Sequence, residues 1–382
     1  MAGVYIVVLM LLGFLIQKAI GGVSLAGAYW AVRILLGVVF VFLCALLFAR
    51  VDTPVRVIDM KATGRIRLKF LALVFCLMVM LLYSKIMSAL GLAPLDAFVG
   101  DISFFLPLVL VLLFSFVRWA DVRTDEPDDQ LYKFAGLLVG RDSWCWEALR
   151  PFVMSWCVKI MFFPLMYSFL VISAEQLVSF EWGRQPFHEG FFLFGLTFDL
   201  LIATFGYLFT SRLLGAPVIS VDSTWEGWLV CMICYPPLLM VLSAVKKQSD
   251  DFIWTDWALP DTGLYWAWAA LIISSWVVYW LSSVAFGIRF SNLSWRGLVN
   301  RGPYRFTKHP AYISKNIYWW AYTVPFFSVV GLDMARNFLG LVFVSMIYYL
   351  RAKTEERHLS QFREYASYSR WIRRYGLWGR AR

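Results

Sequence analysis

Between Phe70 and Tyr83 the chain reads FLALVFCLMVMLLY, with no charged side chain. Such a run limits folding more than any motif does. In hydrocarbon every backbone N–H and C=O must pair within the structure, and a lone segment achieves this only as a helix. Crossing a bilayer takes roughly 20 apolar residues. Comparable stretches lie near 3–17, 28–49, 69–92, 100–118, 151–173, 190–211, 227–245, 263–286, 311–331 and 336–351. The chain is 60% hydrophobic and 16% charged, whereas a soluble domain is about half apolar and a quarter charged. A β-barrel would show short alternating segments instead. The expected fold class is all-α, a polytopic integral membrane helical bundle with about ten transmembrane helices. Ala26-Gly27-Ala28 has the small-x-small form of a cleavage site, but the leading MAGVY carries no Lys or Arg, so 3–17 is expected to be retained as a span.

Basic residues orient such a chain. Arg50, Arg56, Lys61, Arg65, Arg67 and Lys69 fall between two spans, and Arg118, Arg123, Lys133, Arg141 and Arg150 between the next alternate pair. Arg212, then Arg289, Arg296, Arg301, Arg305 and Lys308 continue the pattern. The opposite loops carry Asp96, Asp101, Glu175, Glu181, Asp250, Asp251, Asp256 and Asp261, with Lys246 and Lys247 as the exception. A multi-pass membrane protein with both termini in the cytoplasm follows, in the cell inner membrane if the source is bacterial. The net charge of +10 is spread over several loops, which suits anionic headgroups and not a nucleic-acid module. Many of the Trp residues stand near span ends, as an interfacial belt does. Cys231 and Cys234 form C-x-x-C inside an apolar run, without a further ligand nearby, so packing is expected and no metal.

The longest polar insertion, 119–150, is expected to turn at Glu126-Pro127-Asp128 and continue as an amphipathic helix. No chemical motif precedes residue 262. The chain therefore divides into 1–262, a multi-span region without an assigned role, and 263–382, where the chemistry lies. Arg301–Trp320 reads RGPYRFTKHPAYISKNIYWW. Gly302-Pro303 marks a turn, and Pro310 suits a first helical turn, where its missing N–H costs nothing. His309 then stands at a helix mouth whose free N–H groups attract anions. Tyr312 and Asn316, four apart, share a face. A second cluster, Tyr348–Trp378, places Arg351, Glu355 and His358 on one helical face and Glu356 beside it. Arg351 with Glu355 is also an ordinary i,i+4 pair. Leu359, Phe362, Tyr365 and Tyr368 make an apolar stripe next to Arg363, Arg370, Arg373 and Arg374, the pattern of a C-terminal interfacial amphipathic helix. The last two spans, joined by a turn near Leu332–Arg336, would bring both clusters to one end.

Gly302, Pro303, Tyr304, Arg305, Lys308, His309, Pro310 and Tyr312, followed by Glu355, Glu356, Leu359, Phe362, Tyr365 and Tyr368, resemble the isoprenylcysteine carboxyl methyltransferase family and its phospholipid methyltransferase relatives. The resemblance covers roughly 270–375. It implies an S-adenosylmethionine-dependent methyltransferase, like the protein-S-isoprenylcysteine O-methyltransferases. The cofactor would be held by Tyr304, His309, Pro310, Tyr312, Glu355 and Glu356. The acceptor would be a membrane lipid or lipidated molecule carrying a carboxylate, phosphate or amine. Two departures stand out: Ser314-Lys315-Asn316 replaces a small residue common in the family, and about 260 residues precede the domain.

A carboxylate or phosphate acceptor needs a grip rather than a base, and Arg305, Arg351 and Arg357 are the catalytic candidates, since guanidinium binds such groups bidentately. An amine acceptor would need a base, for which Glu355 or His358 would serve. Lys159 and Asp199 lie inside spans and are expected to form an ion pair. The rival readings are an NADPH-dependent membrane reductase of the sterol reductase type and a multi-span transporter. Protein partners are not indicated.

Overall fold

The structure, a computed structural model, describes residues 25–55, 60–143, 145–249, 252–260, 262–323, 329–377 and 379. The expected span at 3–17 lies outside them. The described chain is mostly helical, with almost no strand. Its helices are α1 (Leu25–Phe48), α2 (Met60–Ala89), α3 (Asp96–Phe104), α4 (Leu106–Asp121), α5 (Gln130–Leu138), α6 (Trp146–Ser179), α7 (Phe187–Leu208), α8 (Trp225–Met232), α9 (Leu239–Lys246), α10 (Trp254–Trp257), α11 (Gly263–Phe286), α12 (Pro310–Thr323), α13 (Leu332–Leu359) and α14 (Arg363–Tyr375). Two short strands, β1 (Ser220–Val221) and β2 (Ser294–Trp295), pair antiparallel, Ser220 opposite Trp295.

Among the described residues five helices are long and apolar enough to cross a membrane, or six if a bent pair counts as one. The chain is thus a multi-pass membrane protein. The five are α1, α2, α6, α7 and α11. The expected span at 100–118 is the bent pair: α3 and α4 meet at 78°. Pro107 opens α4, and proline has no N–H with which to continue the ladder from the preceding turn. The expected span at 227–245 is two eight-residue helices, α8 and α9. Pro236 and Pro237 stand between them and remove two consecutive donors. Neither piece reaches the length a crossing needs. Helix α12 has 14 residues and α13 has 28. The latter carries Asp333, Arg336, Asn337 and Arg351, which keep it out of the apolar set. The connection expected near Leu332–Arg336 is already the first turn of α13.

In a bilayer the attraction between helices comes from close packing and hydrogen bonds, since lipid tails are as apolar as Leu. The α7–α11 contact shows the first. A Cβ on Gly195 would stand 1.9 Å from the Trp280 ring, so the missing side chain is what admits the indole. Trp276 and Tyr318 then link α11 to α12 at 5.5 Å between ring centres, and Trp268 Nε1 donates to the Ala321 carbonyl at 2.7 Å. Another core joins Phe162, Leu170, Ala203 and Tyr207 of α6 and α7 with Cys231. Cys231 and Cys234 are free thiols packed among apolar neighbours.

Charged residues gather at two ends. At one, Arg33 Nε meets Asp101 Oδ1 at 3.0 Å and also pairs with Glu175, while Tyr167 donates to Asp101 at 2.8 Å. At the other, Asp121 accepts Arg65 at 2.8 Å and Lys69 at 3.0 Å, and Lys69 also holds Asp129. Asp129 caps α5 through the Tyr132 N–H. This is the helix expected after Glu126-Pro127-Asp128, and it packs on Leu68 and Ala72 of α2. Lys159 and Asp199 do not pair, contrary to expectation. Lys159 Nζ sits 4.7 Å over the Trp156 ring. Asp199 accepts from Tyr279 at 2.5 Å, with Lys315 as its nearby cation. Four of the Trp residues, Trp254, Trp276, Trp280 and Trp295, are buried in protein, while Trp30, Trp146, Trp182, Trp225, Trp266 and Trp371 are exposed.

Candidate active site at the α12–α13 junction

The chain leaves α11, makes β2, and turns at Gly302, whose φ of +59° is open to glycine at little cost. A short 3-10 turn, Gly302–Arg305, leads to α12. The His309 carbonyl accepts the Ile313 N–H at 3.1 Å. His309 is therefore the residue that caps the helix, as the His-Pro order predicts. Helices α12 and α13 run antiparallel. Trp320 Nε1 donates to Ser345 Oγ at 3.0 Å near one end, and Tyr312 donates to Glu355 near the other.

At that second end the two clusters meet. His309 Nε2 lies 2.9 Å from Glu356 Oε1, and Lys308 Nζ lies 2.5 Å from the same oxygen. The His309 hydrogen bond, with Lys308 beside it, holds the Glu356 carboxyl at about 2, well below the ordinary carboxylate range. Both contacts fall on Oε1, so neither occupies Oε2. Glu355 accepts the Tyr312 hydroxyl, and its other oxygen is 3.9 Å from His309 Nδ1. The His309 and Tyr312 rings lie near-parallel at 5.7 Å, and Tyr312 and Tyr348 at 5.9 Å. A column of aromatic faces thus runs from the mouth inward.

Beside this column is a cavity of about 390 Å³, within the range of small-molecule sites. Lys308, His309, Tyr312, Asn316, Ser345 and Tyr348 line one part of it; Phe306, Ile372, Arg373 and Leu377 line another. The last group is held in place from the C-terminal side: the Leu377 N–H donates to the Phe306 carbonyl at 2.7 Å, and Tyr368 to the Tyr304 carbonyl at 2.7 Å. The stripe expected to face lipid is occupied by protein here. Tyr365, Tyr368 and Ile372 of α14 are buried with Trp295, and Phe362 stacks on that indole at 5.0 Å.

Of the sequence-predicted cofactor residues, His309, Tyr312, Glu355 and Glu356 come together where α12 begins and α13 ends, with Pro310 opening α12; His309 and Tyr312 line the cavity, and Glu355 and Glu356 touch those two from outside its lining. Tyr304 stands one turn outside, its ring edge-on to Phe286 at 5.1 Å. The three arginines do not line the cavity. Arg351 is buried behind Tyr312, its guanidinium 5.2 Å from that ring and 5.7 Å from the ring of Tyr235, and it donates to Asn292 Oδ1 at 3.1 Å. It does not take the i,i+4 pair with Glu355. Arg357 points away, to Thr224 at 2.6 Å and Glu226 at 3.0 Å. Arg305 is exposed, with no ion pair among the described residues. His358 shares a hydrogen bond of 3.0 Å with Ser220, and burial lowers its pKa.

Several residues of this site are not apparent from the motifs. Asn292, Tyr207 and Tyr235 support Arg351 from behind: Asn292 N donates to the Tyr207 hydroxyl at 2.9 Å and Asn292 Nδ2 to the Tyr235 hydroxyl at 3.1 Å. The signal for Tyr235 was the Pro-Pro break beside it. Arg296 donates to the carbonyls of Gly206, Phe209, Ala216 and Phe290, tying β2 to the end of α7. Burial pulls the pKa of that guanidinium down to about 10.

Comparison with curated proteins finds no match, and comparison with solved structures finds none either. A family model does match. Residues 264–361, which run from α11 into the end of α13 and contain both halves of this site, are recognised by the model of the Isoprenylcysteine carboxyl methyltransferase (ICMT) family, and the C-terminal part of the chain is thereby a segment of the kind that family of membrane methyltransferases carries.

Proposed function

We propose that the protein is an S-adenosylmethionine-dependent methyltransferase that modifies a lipid or lipidated acceptor at the α12–α13 mouth. The observation that carries this reading is the meeting of His309 and Tyr312 with Glu356 and Glu355 beside a ligand-sized cavity, inside the family-matched segment. The division at residue 262 is retained, since the match begins at 264. The match favours neither the reductase nor the transporter reading.

The residues fit the cofactor. Its carboxylate suits the Lys308 ammonium and the free N–H groups at the start of α12. Its ammonium and ribose hydroxyls suit Glu356 Oε2 and Glu355. Its flat base and its sulfonium suit the faces of His309, Tyr312 and Tyr348, because aromatic faces attract both π-systems and cations. When bound, S-adenosylmethionine supplies an electrophilic methyl group. The chain's own residues then hold, orient and keep water out, which is sufficient where the acceptor is already a nucleophile. Arg305, exposed beside the mouth, is assigned to an anionic acceptor. Arg351 acts at one remove, by fixing Tyr312. Arg357 fixes the end of α13 through Thr224 and Glu226. Helix α14, with Arg363, Arg370 and Arg374 exposed, is assigned to the headgroup layer, and both termini to that side.

Binding tests the reading directly. Purified protein should bind S-adenosylhomocysteine and not NADPH, and His309→Ala and Glu356→Ala should each weaken that binding at least tenfold. NADPH binding in its place would overturn the reaction class. Unchanged affinity in both variants would overturn the site. Mass spectrometry of lipids and prenylated proteins after incubation with labelled methyl donor identifies the acceptor.

A further inference from the structure

One side chain that lines the cavity carries a buried, unpartnered oxygen that the cofactor assignment above leaves unused. Asn316 lines the cavity. Its Nδ2 donates to the Tyr312 carbonyl at 3.0 Å. A carbonyl only accepts, so this bond fixes which end of the amide faces the helix. The other end, Oδ1, is buried and has no hydrogen-bond donor among the described residues. A buried acceptor in that state is costly unless something pairs with it. Asn316 sits two turns from His309, about 10 Å along the axis at 1.5 Å per residue, so it marks the inner end of the cavity while Lys308 and His309 mark the mouth. Ser345 and Tyr348 line the same cavity; their hydroxyls accept from the Trp320 and Trp319 indoles, and neither donates to Asn316.

We propose that Asn316 Oδ1 is a binding subsite for an N–H or O–H donor of the ligand, at the inner end of the cavity. This rests on the reading of the cavity as a methyltransferase site. Two sources can supply the donor: the amino group of the cofactor's base, or an amine, amide or hydroxyl next to the methylated atom of the acceptor. A ligand presenting only a bare carboxylate or phosphate oxygen there is disfavoured, because two acceptors would face each other. Asn316 is thus a specificity-determining residue, and it recognises a donor where the mouth recognises charge.

The test is Asn316→Leu, which keeps the volume and removes the amide. S-Adenosylhomocysteine affinity is measured on the full chain in detergent, together with thermal stability without ligand, and KM and kcat are measured for a lipid acceptor found by labelling. A cofactor source gives an affinity loss of about tenfold, the usual size for one neutral hydrogen bond to a buried group. An acceptor source leaves that affinity intact and raises KM by a similar factor, more for an acceptor bearing N–H than for its N-methylated analogue. In both cases ligand-free stability is unchanged or higher, because an orphaned acceptor has gone. A ligand-free loss of stability with both affinities unchanged would mean a purely structural asparagine and would overturn the proposal. Wild-type protein that binds no S-adenosylhomocysteine would instead overturn the methyltransferase reading itself.

Discussion

Glu356→Gln isolates the charge at the centre of the mouth. The substitution keeps the shape and removes the anion that Lys308 and His309 share. A carboxyl held at about 2 against an ordinary 4.5 corresponds to about 3 kcal/mol of preference for the charged form. The side chain is 22% exposed, so water screens part of this, and about 1–2 kcal/mol is the expected loss. The sign follows from linkage. The folded-state pKa lies below the unfolded one, so the stabilisation is complete above the ordinary value of 4.5 and disappears as pH falls toward 2. Thermal unfolding in detergent should therefore show the Gln variant less stable at about pH 7, with the gap to wild type closing progressively below about pH 4.5. A gap that stays constant with pH would refute the reasoning, because only a titrating carboxylate closes it. Equal stability at neutral pH would refute it as well.

Other perturbations probe the surroundings. Gly195→Ala puts a Cβ into the Trp280 ring, at 1.9 Å, and should lower stability by about 1–3 kcal/mol or prevent folding, seen in detergent unfolding midpoints and expression yield. Gly376→Ala places a Cβ 2.7 Å from the Phe306 carbonyl; it should loosen the Leu377 wall of the cavity and weaken S-adenosylhomocysteine binding severalfold more than it lowers stability. Exchanging Arg357 and Glu226 should recover most of what either single reversal loses, with a coupling of only about 0.2–1 kcal/mol because the pair is exposed. His358 is held below its ordinary 6.5 by burial, so the folded state resists its protonation; stability should fall as pH drops below about 6.5, and His358→Gln should flatten that part of the profile.

The last two helices and their polar ends were legible in the sequence for a physical reason. The His-Pro segment and the Glu pair each carry local rules, a helix start and an i,i+4 face, and antiparallel neighbours bring their ends together automatically. Local rules also explain the misses. Apolar length alone made 227–245 a span, and Pro236-Pro237 was a stronger signal than the hydropathy around it. Lys159 and Asp199 looked like partners because each was a charge inside an apolar run. Which side chain faces which is set by helix rotation, and Asp199 instead faces Tyr279 and Lys315.

The region before residue 262 looked like a separate unit with no motif, and the contacts argue for a tighter relation. Arg351 needs Asn292, Asn292 is held by Tyr207 and Tyr235, and β1 pairs with β2. Each of these bonds is weak alone, about 1 kcal/mol net, yet together they fix the back of Tyr312, whose hydroxyl holds Glu355. None is visible as a motif, since Tyr207 and Asn292 are 85 residues apart. If this chain of contacts sets the mouth, Tyr207→Phe, far from the cavity, should leave Asn292 N without its partner and lower S-adenosylhomocysteine affinity by a few-fold. Tyr83→Phe, a matched loss of a hydroxyl elsewhere in the same core, should leave affinity untouched. Equal effects from the two would mean that the earlier region supports the site only through general stability.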